Sequence, residues 1–104
     1  MTSLSDKKLK RIIKQFLGNF GNPSGQCYMV SIALKIYLSE KIKLETRLVS
    51  GFVQNGKYLE PHWWLEMGDN IIIDATGSQF KELKMPIVYI GFLPNFYNRS
   101  FFVN

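Results

Sequence analysis

Three residues of this sequence could together carry out thiol chemistry: Cys27, His62 and Asp74. A cysteine attacks a carbonyl carbon as its thiolate, an imidazole stabilises that thiolate and later protonates the leaving group, and a carboxylate orients the imidazole. Each residue alone also has a structural explanation, as a small core residue, a buried histidine or a turn-forming aspartate at a strand end. Their combination points to thiol catalysis, because the three types that this reaction needs occur together in one short chain.

Cys27 stands where a helix is expected to begin. Turn-forming residues fill positions 18–25, and an apolar run follows from about Gln26 to Lys41. The first turn of a helix has unpaired N–H groups and the positive end of the helix dipole, and both lower the pKa of a thiol. The run is apolar around most of its circumference, so we expect this helix to be central and covered on several sides.

Two predicted strands, residues 62–67 and 71–74, carry His62 and Asp74, and the loop between them decides whether the two side chains meet. Side chains alternate along a strand, so a two-residue loop at positions 68 and 69 would put them on opposite faces. A three-residue loop puts them on the same face, either as residues 67–69 or as residues 68–70 with Asn70 left-handed. A triad therefore requires the odd loop length.

The remaining pattern predicts an α+β domain that spans residues 1–104. A helical stripe runs from Ser5 to Leu17, and Thr46–Gln54 reads as a strand that turns at Asn55-Gly56. Pro86–Ile90 is the last predicted strand, and the aromatic tail after Phe92 is compatible with either strand or irregular structure. We expect the N-terminal helices to pack on an antiparallel sheet.

Three sequence blocks resemble those of known thiol enzymes. They are Gly25-Gln26-Cys27, Pro61-His62-Trp63-Trp64 and Ile73-Asp74-Ala75-Thr76. They look like the Cys, His-x-Trp and Asp blocks of transglutaminase-like and papain-like enzymes, in the same chain order. The segment from His62 to Phe80 is also similar to the small bacterial YunG-like proteins. The resemblance implies a Cys-His-Asp triad on a half-barrel sheet, and acyl transfer from an amide to water or an amine.

Four further residues are candidates for oxyanion or substrate binding: Asn22, Gln26, Trp64 and Gln79. Papain-like enzymes place an oxyanion-hole glutamine several residues before the cysteine, whereas here Gln26 is adjacent to it and Asn22 stands five positions before. The backbone N–H of Cys27 is a further candidate donor. Trp64 could line the site while Trp63 packs in the core, and Gln79 could either bind substrate or hold the turn after Asp74.

Composition argues against several other classes of function. A single cysteine cannot form a disulfide within the chain, and one cysteine with one histidine provides too few ligands for a structural zinc site. We therefore expect no metal and no cofactor. The net charge of +5 comes mostly from the first fourteen residues, which hold five cations against one carboxylate. That helix face could meet nucleic-acid phosphates, but no aromatic residues interleave it, so a solvated face is the favoured interpretation. The sequence shows neither a signal peptide nor a membrane span, which predicts a cytoplasmic protein with a reduced thiol.

The sequence therefore favours cysteine-dependent acyl transfer or amide hydrolysis on an amide-containing small molecule, peptide or protein, with Cys27 as nucleophile, His62 as base and acid, and Asp74 orienting His62. One alternative is a catalytically inactive bacterial or phage module that captures a peptide or metabolite in the same cleft. The other is a nucleic-acid accessory protein that uses the lysine face. The oligomeric state is not predicted.

Overall fold

The computed structural model describes residues 5–19, 26–68 and 70–103, and within these ranges two helices precede five strands. Two single-turn 3₁₀ helices, Gly77–Gln79 and Lys81–Leu83, lie between the third and fourth strands. The main elements are α1 Asp6–Leu17, α2 Cys27–Ile42, β1 Arg47–Asn55, β2 Tyr58–Met67, β3 Ile71–Asp74, β4 Tyr89–Phe92 and β5 Tyr97–Val103.

The strands form one antiparallel sheet in the order β4-β3-β2-β1-β5, with β2 at its centre. Both helices pack on one face of this sheet, because the apolar residues of α1 and α2 share a core with those of β1, β2 and β3. The predicted α+β arrangement of N-terminal helices on an antiparallel sheet is confirmed. No helix within the described ranges has the length and apolar character that crossing a membrane requires.

α1 follows its predicted stripe. Ser5 caps it by accepting a hydrogen bond from the Lys8 backbone N–H at 3.2 Å, and Leu9, Ile13 and Phe16 are buried against the sheet. The four-residue spacing between Leu9 and Ile13 places them one above the other on the same face. The charged residues face away from the core, as an amphipathic surface helix requires.

α2 begins at Cys27 as predicted, but the expectation that it is covered on several sides is wrong. Only one stripe is buried, formed by Val30, Ser31, Leu34 and Leu38, while Met29 and Ile36 are more than half exposed. The helix is apolar all round in sequence, yet among the described residues α1 and the sheet are the elements that share a core with it. An apolar sequence on all sides of a helix therefore does not show that all its sides are buried, and one side of α2 is exposed.

The β2–β3 hairpin has the odd loop that a triad needs. Leu65 pairs with Ile73 and Met67 with Ile71, which leaves residues 68–70 as the loop. The structure thus has the loop of residues 68–70 and not the alternative of residues 67–69. Asn70 takes the predicted left-handed conformation at φ 63°. His62 and Asp74 therefore point to the same face of the sheet, as the hydrogen bond between them also requires.

The fourth strand lies later in the chain than the sequence predicts. The prediction of Pro86–Ile90 as the last strand is wrong, because β4 begins at Tyr89 and runs to Phe92. Proline lacks the N–H that a ladder needs, so the segment after it stays irregular until Tyr89. The aromatic tail is a strand, β5, which pairs with β1 and forms one edge of the sheet.

The two faces of the sheet carry separate apolar cores. Leu48, Leu65 and Ile73 face the helices. Val49, Trp64, Ile72 and Tyr97 face the other way, where Phe80 from the 3₁₀ segment covers them. The alternation along β1, β2 and β3 divides the apolar residues between these cores, and the second core surrounds His62 and Asp74.

Candidate active site

His62 and Asp74 form a fully buried pair on the face away from the helices. Nε2 of His62 lies 2.8 Å from Oδ2 of Asp74, and neither side chain has any exposed surface. A carboxylate can only accept, so Nε2 carries the proton and donates to Asp74. This bond fixes the tautomer and leaves Nδ1 as the nitrogen that can exchange a proton with another group.

Asp74 is held by three further donors. The hydroxyl of Tyr97 donates to Oδ2 at 2.5 Å, and the backbone N–H and hydroxyl of Thr76 donate to Oδ1 at 2.9 and 3.3 Å. Burial alone would raise the pKa of this carboxyl, but His62, Tyr97 and Thr76 stabilise its charged form and hold the pKa below its ordinary value. Asp74 is therefore a fixed negative charge behind the imidazole.

Sequence reasoning missed Tyr97. It lies on β5, in the tail whose structure the sequence left open, and it is buried at 2% exposure. The available signal was its place among closely spaced aromatic residues near the C-terminal end, which also fits simple core packing. Burial and the negative charge of Asp74 both raise the pKa of Tyr97, so the phenol remains a proton donor in this bond.

The close packing at Asp74 requires a glycine at position 77. A Cβ added there would lie 2.9 Å from both the carboxylate Oδ2 of Asp74 and the hydroxyl of Tyr97. Such distances are shorter than van der Waals contact, so only a residue without a side chain fits. The Gly77 backbone is thereby part of the wall that fixes the Asp74–Tyr97 bond.

Cys27 approaches His62 at the point where β3 stops. The β2–β3 ladder ends at Leu65 paired with Ile73, so the backbone of β2 before this pair is available to other groups. The first two turns of α2 supply them: Ser31 donates from its hydroxyl to the Trp63 carbonyl at 3.3 Å, and the Cys27 thiol lies against the Trp63 backbone. The end of β3 thus leaves room for the Cys27 thiol beside β2.

The thiol and the imidazole are electrostatically coupled. Burial would raise the pKa of Cys27, but His62 and the backbone N–H groups of Trp63 and Tyr28 lower it below its ordinary value. Burial would lower the pKa of His62, but Asp74 and Cys27 raise it to about 9. Both shifts favour a thiolate beside an imidazolium.

His62 Nδ1 is buried with no aligned hydrogen-bond partner among the described residues, although the ring and the Cys27 thiol each shift the pKa of the other. The thiol is therefore close to the ring without a well-formed hydrogen bond to it.

Only some of the other predicted site residues lie beside His62 and Cys27. Gln26 is exposed directly before Cys27 and is the N-cap of α2, with no side-chain capping bond in the part of the chain that is described. Trp64 is fully buried behind His62, with ring centroids 6.0 Å apart, so it packs against the imidazole and has no surface for a substrate. Trp63 is the indole that is partly exposed beside Cys27. Asn22 lies outside the described residues.

Gln79 lines a cleft of about 510 Å³ between the β1–β2 turn and the 3₁₀ segment, together with Glu60 and Glu82. It is adjacent to Phe80, whose ring contacts that of His62 edge-on at 4.7 Å between centroids. Gln79 is thus the sequence neighbour of a residue that contacts the imidazole, but Gln79 itself lines a different cleft. Its backbone N–H also closes the turn after Asp74 by donating to the Thr76 carbonyl at 3.2 Å.

The site brings together a thiol, an imidazole and a carboxylate, without the donor set of a metal centre among the described residues. Across the described ranges, no three His, Cys, Asp or Glu side chains are placed to hold a metal ion. Comparison with family models, curated proteins and solved structures finds no match to this chain.

Proposed function

We propose that this protein is a cysteine-dependent acyltransferase or amide hydrolase with Cys27, His62 and Asp74 as its catalytic residues. The observation that carries the proposal is the buried His62–Asp74 bond, with the free Nδ1 of the same ring coupled to a thiol at a helix N-terminus. A histidine that only filled a core position would not need a fully desolvated carboxylate on one nitrogen and a thiol beside the other.

In the first half of the reaction the Cys27 thiolate attacks the carbonyl carbon of an amide. The backbone N–H of Cys27 at the start of α2 is a donor for the developing oxyanion, with the exposed Gln26 side chain next to it. The imidazolium of His62 gives its Nδ1 proton to the departing amine as the carbon–nitrogen bond breaks. A thioester between Cys27 and the acyl group remains.

In the second half, water or a second amine attacks the thioester. Neutral His62 takes the proton of this nucleophile at Nδ1, the carbon–sulfur bond breaks, and the Cys27 thiolate is restored beside an imidazolium. Asp74 keeps Nε2 protonated throughout and stabilises the charge on the ring. Water as acceptor gives hydrolysis, and an amine as acceptor gives acyl transfer.

His62 is fully buried and Cys27 is only partly exposed, so a folded surface would not reach them. An amide-containing small molecule or the flexible end of a peptide or protein therefore fits the proposal better. A reduced, ionisable thiol also fits a reducing compartment, which supports a cytoplasmic location. The resemblance to transglutaminase-like enzymes agrees with this chemistry but remains an expectation from three short sequence blocks.

The reactivity of Cys27 towards iodoacetamide tests the proposal. Because the chain has one cysteine, the mass of the intact protein reports alkylation at that position alone. At pH 6.5 a free thiol is only ~1% ionised, so we expect the native protein to react at least about tenfold faster than the same protein unfolded in urea. His62→Gln should remove most of this difference.

Glu66→Gln is the matched control, since Glu66 is buried on the same face of β2 but is bonded to Arg47 and Arg99. It should react like the unmodified protein. If the native thiol reacts no faster than the unfolded one, and His62→Gln changes nothing, the triad is silent. The catalytically inactive binding module would then be the better description.

A further inference from the structure

An apolar surface lies beside Cys27 on the helix-side face of the β1–β2 hairpin. Three of its large side chains are well exposed: Tyr28 at 44%, Phe52 at 40% and Leu59 at 56%. Pro61 is exposed and Trp63 is half-buried between them. We call this surface the apolar shelf, and its members are Tyr28, Phe52, Leu59, Pro61 and Trp63.

The apolar shelf is continuous. Phe52 pairs with Pro61 across the β1–β2 ladder, so Leu59 and Trp63 are its diagonal neighbours on the same face. The ring of Tyr28 meets that of Trp63 edge-on, with centroids 4.7 Å apart. Since Tyr28 follows Cys27 in α2 and the thiol lies against the Trp63 backbone, the shelf ends at the nucleophile.

The apolar shelf carries no charge. On this face of β1, the positions on either side of Phe52 are the uncharged Ser50 and Gln54, and the β2 positions opposite these three residues are the shelf residues at 63, 61 and 59. Glu60 points to the opposite face, because it alternates with Leu59 and Pro61. A charged group placed here would lose water without gaining a partner, whereas an apolar group would bury surface on both sides.

We propose that the apolar shelf binds the acyl side of the substrate, specifically an aromatic or branched aliphatic side chain next to the carbonyl that Cys27 attacks. This inference rests on the proposed function, and it narrows the substrate class to amides with an apolar acyl group. Burial of one such side chain is expected to raise the second-order rate about tenfold or more.

Two chloromethyl ketones that differ only in this group provide the test. Acetyl-phenylalanyl and acetyl-glycyl chloromethyl ketone both alkylate a thiol, and their rates with N-acetylcysteine correct for intrinsic reactivity. We expect Cys27 to react about tenfold faster with the phenylalanyl probe. Phe52→Ser with Leu59→Ser should abolish this preference, whereas the iodoacetamide rate should not change.

Ile36→Ser is the matched control, because Ile36 is an equally exposed apolar residue farther along α2 and outside the shelf. It should keep the full preference. Circular dichroism checks that each variant is folded, and the two single variants Phe52→Ser and Leu59→Ser serve separately should the double variant unfold.

The outcomes separate the apolar shelf from the triad. Equal corrected rates for the two probes, or a preference that survives both shelf substitutions, would overturn the shelf as an acyl site. A slow iodoacetamide reaction would instead count against the triad, while the probe ratio would still report on the shelf. A stable dimer that dissociates in the shelf variants, together with absence of a probe preference, would assign the surface to a second copy of this chain.

Discussion

Asp74 is a buried carboxylate whose charge depends on its donors, and Tyr97 is the donor that can be removed with the least change in shape. Tyr97→Phe deletes one hydroxyl and leaves the ring that packs against Trp64 at 5.1 Å between centroids. We expect a loss of about 1 to 3 kcal/mol in the free energy of unfolding at pH 7, because a desolvated charge loses a hydrogen bond.

The pH dependence distinguishes this effect from simple packing. The lowered pKa of Asp74 contributes stability above the ordinary carboxyl range, and that stability is lost as the pH falls through the pKa of the folded state. Tyr97→Phe should raise this folded pKa and move the acid unfolding midpoint to higher pH. Tyr58→Phe, at a residue 64% exposed, should move neither the midpoint nor the unfolding free energy at pH 7.

The contribution of His62 to stability changes with pH in the opposite direction. Its pKa is raised from 6.5 to about 9 on folding, so its contribution is complete below pH 6.5 and is lost as the pH rises towards 9. In a Cys27→Ser background, where the thiol no longer titrates, we expect the free energy of unfolding to fall by on the order of 1 to 3 kcal/mol over this range. Urea titrations at pH 6 and pH 9 measure the difference.

The matched variant for this measurement is Cys27→Ser with His62→Gln. It lacks the titrating ring, so its unfolding free energy should change much less between pH 6 and pH 9. An equal decline in both proteins would mean that the imidazole is not held as an imidazolium by Asp74.

At the scale of elements, the loop at residues 68–70 sets the parity of β2 against β3. Deletion of Gly68 leaves a two-residue loop, which moves either His62 or Asp74 to the other face unless the strands bulge. We expect the fast alkylation of Cys27 to disappear and the thermal midpoint to fall, because the apolar alternation of one strand would also be reversed.

Insertion of two glycines after Gly68 is the control, because a five-residue loop preserves the parity. Loop closure entropy grows slowly with length, so this insertion should cost only about 0.5 kcal/mol and should keep the alkylation rate. If both changes affect Cys27 equally, loop strain rather than parity would be responsible.

This hairpin also shows why part of the site was predictable. Parity follows from the period of two along a strand, so the need to place Asp74 on the face of His62 selected an odd loop before any contact was known. The choice between two odd loops required the left-handed φ of Asn70, which the sequence permits but does not compel. Local periodicity therefore predicted the face, and tertiary structure selected the register.

The partner of Tyr97 and the exposure of α2 could not be predicted from the sequence. The Tyr97–Asp74 bond joins residues far apart in sequence, and no local pattern in an aromatic tail reveals which ring faces a carboxylate. The exposure of Met29 and Ile36 likewise depends on how many elements are available to cover α2. Both features depend on packing between distant segments, which periodicity within one segment does not contain.

At the scale of the whole molecule, Glu66 connects three strands. It is 2% exposed on β2, and it accepts hydrogen bonds from Arg47 of β1 at 3.1 Å and from Arg99 of β5 at 2.9 Å. Arg99 also donates to the Asn70 side chain at 2.7 Å, so one guanidinium links the edge strand to the β2–β3 loop. Arginine suits this role better than lysine, because its planar guanidinium presents several donors that can bond two residues at once.

Arg99→Met should destabilise the fold by about 3 kcal/mol, since it leaves a buried carboxylate with only Arg47 as its partner. The double variant Arg99→Met with Glu66→Met removes both charges and should recover much of this loss. Chemical denaturation of the two variants measures the difference. A double variant less stable than the single one would show that the carboxylate has stabilising partners beyond these two arginines.

Tyr97 on β5 has a consequence for when Cys27 gains its reactivity during folding. Tyr97 lies on the last described strand and Asp74 on the third, and such non-local pairing is slow to form. Before β5 docks beside β1, Asp74 lacks the Tyr97 hydrogen bond, so its charged form is less stabilised and holds His62 less firmly as an imidazolium. On the proposed function, we therefore expect Cys27 to react more slowly in the partly folded chain than in the native protein.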